Sequence, residues 1–151
     1  MSTINFDQEL TSQQIEKFFY NTVDKLEAPM LDVKQNCITV GPYKIITGQD
    51  CYTVQRSGTP VVEFSRRSWA VAFALRMHNG DRNTADYLRG AEHRYRKIAE
   101  DQYVYRKHLS RARQRDIDEK IYLYEARLSR VESELEALYQ DVQPILKNSH
   151  R

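Results

Sequence analysis

The spacing of apolar residues changes twice along this chain. From Thr11 to Glu27, Ile15, Phe18, Phe19, Val23 and Leu26 share one helical face, which predicts a first helix capped by Thr11 or Ser12 and closed before Pro29. From Cys37 to Ser65 the period shortens to that of strands. Cys37–Val40, Tyr43–Thr47, Cys51–Gln55 and Pro60–Phe64 are short β-rich runs. Gly41-Pro42, Gly48-Gln49 and Arg56-Ser57-Gly58-Thr59 punctuate them as tight turns would in an antiparallel meander. Ser65 or Ser68 then opens a compact helix over 66–78 that stops at Asn79-Gly80. Trp69, Phe73 and Met77 form a stripe on it, suited to covering one face of the sheet. Residues 1–80 thus read as a small α+β module.

Beyond Gly80 two heptad tracks predict long helices. Leu88, Ala91, Tyr95, Ile98, Gln102, Tyr105, Leu109 and Ala112 alternate at steps of three and four. Ile117, Ile121, Tyr124, Leu128, Val131, Leu135, Leu138, Val142 and Ile145 continue the pattern at steps of three or four, a coiled-coil signal. The step of five from Ala112 to Ile117 breaks the phase. It fits either one helix, roughly 90 Å long for ~60 residues, or a hairpin folded near 110–116. Basic residues before the break and Asp116, Asp118 and Glu119 after it suit a helix C-terminus followed by an N-cap at Asp116. The favoured reading is a hairpin with arms of about 84–112 and 117–146, and an antiparallel dimer satisfies the same seam. Stacking Leu109 on Ile117 sets Arg113 near Asp118, Arg106 near Glu125, Asp101 near Arg127 and Arg94 near Glu134. The fold class is therefore α+β, a small antiparallel β-meander with helices followed by a long α-helical hairpin of coiled-coil periodicity.

Charge refines this picture. Residues 1–65 hold five Lys/Arg against eight Asp/Glu, residues 66–115 thirteen against five, and residues 116–147 four against eight. A basic middle between acidic flanks calls for an external polyanion or for pairing within the protein. Tyr87, Tyr95, Tyr103 and Tyr105 interleave with the basic residues, and cations with stacking rings suit nucleic acid. Arg89, Arg96, Lys97, Lys107, Arg111 and Arg115 are the candidate contacts, with Arg66, Arg67 and Arg76 as outlying additions. The competing reading places Tyr95 and Tyr105 in the seam and pairs Arg94, Arg106 and Arg113 with the acidic arm.

Nothing in the sequence points to catalysis, a cofactor or a small-molecule substrate. The four histidines, at 78, 93, 108 and 150, lack metal-ligand spacing, and Cys37 and Cys51 belong to no C-x-x-C pair. Both thiols are expected reduced, in the cytoplasm. Glu132 to Glu136 places acids around a core leucine, as a solvated face does. The first residues resemble no signal peptide, and the longest apolar run, Trp69–Leu75, is too short to span a membrane.

Tyr52-Thr-Val, Val62-Glu-Phe-Ser-Arg-Arg-Ser-Trp-Ala-Val-Ala-Phe-Ala-Leu75 and the Tyr/Arg-rich heptads through Tyr124-Glu-Ala-Arg-Leu128 resemble small uncharacterised proteins of marine tailed phages, including cyanophages. The resemblance covers about residues 43–145. It implies a phage protein, in the host cytoplasm, and carries over no activity and no functional residue. The expectation is a non-enzymatic interaction or assembly protein that forms a homo-oligomer or docks on another protein. The alternative is a nucleic-acid-binding accessory protein using the basic face of 82–115.

Overall fold

The computed structural model describes residues 31–34 and 37–147. The helix expected over 11–27 lies outside them. Five strands follow in chain order: β1 (Leu31–Lys34), β2 (Cys37–Val40), β3 (Tyr43–Thr47), β4 (Tyr52–Arg56) and β5 (Thr59–Phe64). Each pairs antiparallel with the next, giving a meander with one strand, β1, more than the pattern predicts. Three helices complete the described chain: α1 (Arg67–His78), α2 (Arg82–Gln114) and α3 (Asp118–Lys147). The protein is α+β, with a meander followed by two long helices.

The described residues belong to two compact units. One takes in residues up to Glu92 and from Val142 onward, and the other is His93–Asp141. The division falls within the two long helices, beyond the Gly80 turn that ends α1.

In the first unit, alternation along the strands selects the core. Ile38, Val40, Tyr43, Ile45, Tyr52, Val54 and Phe64 are buried, and α1 packs on β2 to β5. Residues Ser68 to Arg76 of α1 are all buried, so the helix is covered all round and not only along its Trp69–Phe73 stripe. The Phe73 ring meets Phe64 at 5.4 Å between centroids on one side, and the Arg89 guanidinium lies 5.5 Å from it on another. The β2–β3 turn presses on the end of this helix. Gly41, at φ +56°, leaves so little room that a Cβ there would lie 2.7 Å from Nδ1 of His78.

Neither serine caps α1. Its N-cap is Arg66, with no side-chain cap bond. Ser65 instead donates its backbone N–H (2.9 Å) and its hydroxyl (2.7 Å) to the carboxylate of Glu92, which is 4% exposed. A carboxylate that far from water needs such donors, and the two bonds fasten the start of α1 to α2. Cys37 and Cys51 are free, half-buried thiols.

Two Schellman turns end α1 and α2. At the first, the N–H groups of Gly80 and Asp81 bond the carbonyls of Met77 and Arg76, with Gly80 at φ +78°. At the second, Asp116 N–H bonds the carbonyl of Arg113 and Ile117 N–H that of Ala112, with Asp116 at φ +57°. Asp116 is therefore the C′ residue of α2 and not the N-cap of α3, whose acidic first turn is Asp118 and Glu119. The five-residue step from Ala112 to Ile117 is the C3-to-C″ spacing of this motif, which links the two residues by a hydrogen bond.

A side chain in the left-handed region costs roughly 1 kcal/mol, less for Asp than for most residues. Asp116→Gly is thus expected to stabilise the hairpin by about 0.5 kcal/mol, and Asp116→Val to destabilise it by more than about 1 kcal/mol. Thermal unfolding followed by circular dichroism reads both shifts.

The second unit is an antiparallel hairpin within one chain. Its pairing is offset by about one to two helical turns from the register that stacks Leu109 on Ile117. Arg113 bonds Glu125 (3.4 Å) and not Asp118, and Tyr124 meets His108 (5.1 Å) and Tyr105 (6.4 Å). Arg127 lies 5.7 Å from both the Tyr105 and Tyr124 rings rather than against Asp101. The cause is that Ser110 to Gln114, all acceptable in helices, stay helical. This moves the turn to Arg115–Ile117 and carries the pairing with it.

Candidate interaction surface on the helical hairpin

Residues of the two heptad tracks face inward within their units. Leu88, Ala91, Ile98, Leu109, Ala112, Leu128, Val131, Leu138 and Val142 are buried. Tyr95, Gln102, Tyr105, Ile117, Ile121, Tyr124, Leu135 and Ile145 are half-buried. Near Pro144 the phase slips, since Leu146 and not Ile145 is buried.

The nine basic candidates separate into different settings. Arg76 is only 5% exposed and pairs with Asp81 at 2.7 Å. Arg66 and Arg67 are half-buried, and Arg67 lies 5.4 Å from the Tyr52 ring. Arg89 lies over Phe73 with Asp86 at 4.0 Å. These four belong to the α+β unit and serve its packing. In the hairpin, Lys97 pairs with Asp101 at 3.5 Å and Arg96 is exposed. Lys107, Arg111 and Arg115 are exposed and take part in no ion pair among the described residues.

Beside these cations the hairpin exposes apolar surface. Tyr103 is 68% and Tyr122 79% exposed, and Val104 and Leu123 are also open to solvent. Tyr103 stands apart from its neighbour Tyr105, which is turned inward onto Tyr124. Tyr122 and Leu123 are absent from the sequence-based candidates. Their signal lay in falling off the Ile121–Tyr124 seam on a helix that leaves those positions to solvent.

A groove of about 410 Å³ runs between the arms, lined by His93, Arg94, Lys97 and Ile98 of α2 and Glu134, Ala137, Leu138 and Asp141 of α3. Arg94 and Glu134, expected to pair, both line it. Ile98, Ala137 and Leu138 give it apolar lining, and the other five residues are ionisable side chains of both signs. Among the described residues, no group of three or more His, Cys, Asp or Glu is placed to hold a metal ion. No described helix is long and apolar enough to cross a membrane. No protein-family model, no curated protein and no solved structure matches the chain.

Proposed function

We propose that this chain is a non-enzymatic interaction and assembly protein that docks through the outer faces of its helical hairpin. One observation carries the reading. Four of the six large apolar side chains exposed among the described residues (Tyr103, Val104, Tyr122 and Leu123) lie on the hairpin. Exposed tyrosines, Tyr103 among cations and Tyr122 among carboxylates, suit a protein contact surface, where a ring covers area at low entropic cost. The proposal includes the phage origin suggested by the sequence resemblance and a place in the host cytoplasm.

A photo-crosslinking side chain at position 103 or 122, introduced in cells that make the protein, tests it. Discrete protein adducts are expected from both positions and not from exposed Lys44 on the sheet. No adducts, or the same adducts from position 44, would contradict the proposal.

A second reading rests on Lys107, Arg111 and Arg115, whose exposed charge on the helix that carries Tyr103 suits a nucleic-acid strand. It predicts a gel shift at low salt that weakens steeply with added salt and is lost when all three become Glu. The absence of any shift at low salt excludes it.

A further inference from the structure

The hairpin carries two outer stripes of opposite sign. On α2, His93, Arg96, Glu100, Tyr103, Lys107 and Arg111 follow at steps of three and four and are all exposed. On α3, Asp118, Tyr122, Glu125, Ser129, Glu132 and Glu136 do the same, with four carboxylates and no cation. Such steps keep residues on one helical face. The basic stripe lies on the side of α2 away from the buried Ile98, Leu109 and Ala112, whereas the acidic stripe runs along the flank of α3 beside the buried Leu128, where Glu125 also bonds Arg113 of the same hairpin. The hairpin therefore has one basic edge and one acidic edge.

From this complementarity we infer that the partner is a second copy of the chain, seated with the basic edge of one hairpin against the acidic edge of the next. The inference rests on the docking role of the hairpin and adds the identity of the partner. Within one hairpin the pairing centres on the Arg115–Ile117 turn, so a neighbour set flush beside it meets α2 in the same antiparallel alignment. Arg96 then comes opposite Glu136, Tyr103 opposite Ser129, and Lys107 opposite Glu125, with Glu100 facing Glu132 as the one like-charged layer. The small Ser129 leaves room for the Tyr103 ring.

Because the two edges are different surfaces, the contact is heterologous and leaves a free edge at each end of a pair, so copies add in a row. Exposed ion pairs contribute less than about 1 kcal/mol each. The association is accordingly weak and depends on salt, as the Debye length shrinks from about 30 Å at 0.01 M to about 3 Å at 1 M.

Two triple variants of the intact chain test this by sedimentation velocity after nuclease treatment. Arg96→Glu/Lys107→Glu/Arg111→Glu makes both edges acidic, and Glu125→Lys/Glu132→Lys/Glu136→Lys makes both basic. All six positions are exposed, and the Arg113–Glu125 bond that Glu125→Lys breaks is itself exposed, so both variants should keep the helical circular dichroism of the parent. The parent is expected to rise with concentration beyond the mass of two copies at low salt, and to fall towards 17.9 kDa at high salt. Each variant alone stays at one copy, and an equimolar mixture associates again. A parent that stays at one copy, a variant that associates alone, or a mixture that does not associate overturns the inference. If self-association fails while crosslinks from positions 103 and 122 still reach another protein, the docking role stands and only the partner is wrong. If both fail, both fall.

Discussion

Replacing Phe73 with alanine is expected to lower the free energy of unfolding by about 4 kcal/mol. The ring has no exposed surface, sits in the middle of a helix that is itself fully covered, and packs against Phe64. Removing it forfeits the transfer free energy of the ring and opens a cavity that rigid neighbours fill only in part. The guanidinium of Arg89 also loses the ring it lies over. Phe73→Leu keeps most of the volume and should cost less than half as much. Urea unfolding followed by circular dichroism reads the difference. Equal midpoints for Phe73→Ala and the parent would show that α1 is not the centre of the α+β core.

Asp81 is the second position of large expected effect, because one residue does three things at the α1–α2 junction. Its N–H closes the Schellman turn of α1 on the Arg76 carbonyl at 2.9 Å. Its carboxylate accepts the N–H of Thr84 at 3.2 Å, capping α2 at the N3 position. The same carboxylate holds the buried Arg76 at 2.7 Å. Burial pushes the Arg76 guanidinium down from its ordinary value, and its bond and attraction to Asp81 oppose the shift. At Asp81 burial works to raise the carboxyl. The bonds from Thr84 and Arg76 outweigh it and leave the group below its usual range.

Asp81→Ala removes the cap and leaves Arg76 buried without its counter-ion. Losing one partner of a buried pair costs about 3–5 kcal/mol and losing a cap about 1 kcal/mol. Asp81 is itself about one-third exposed, so solvent relieves part of this and about 3 kcal/mol is expected. The sign of the pH dependence follows from the lowered value. A carboxyl depressed on folding contributes its full stability above the unfolded value of about 3.9, and loses it as pH falls through the lower folded value. Parent stability should therefore fall below about pH 4 more steeply than that of Asp81→Asn. Parallel acid profiles for the two proteins would remove the pair from the stability of the fold.

The β-meander was legible because alternation and turn residues agree in short, local segments. Ser57 and Gly58 both take positive φ, as the type I′ hairpin turn requires. β1 was missed because Leu31–Lys34 is a four-residue strand close after Pro29, with too few positions to show a period. Helical periodicity likewise marked the long arms, and the phase break at Ala112 marked their turn. The pairing register could not be read in the same way. It depends on the residue that closes the turn, and Asp116 serves as well for a C′ position as for an N-cap. Sorting the cations also needed tertiary context, since Arg76 and Lys107 are alike in composition while one is buried on Asp81 and the other faces water. The Asp81 junction had a local signal in Asn79-Gly80-Asp81 with Thr84 three residues on, but no pattern of spacing links it to Arg76.

The outer faces of the hairpin as contact surfaces can be measured directly by hydroxyl-radical footprinting of Tyr103 and Tyr122. The comparison is between dilute purified protein in high salt and the cells that make it, with Tyr87 of the α+β unit as the internal reference. Both tyrosines are expected to react readily in the dilute sample, as their exposure requires, and to be protected in the cell while Tyr87 changes little. Equal reactivity of Tyr103 and Tyr122 in the two settings would contradict a docking role for the hairpin.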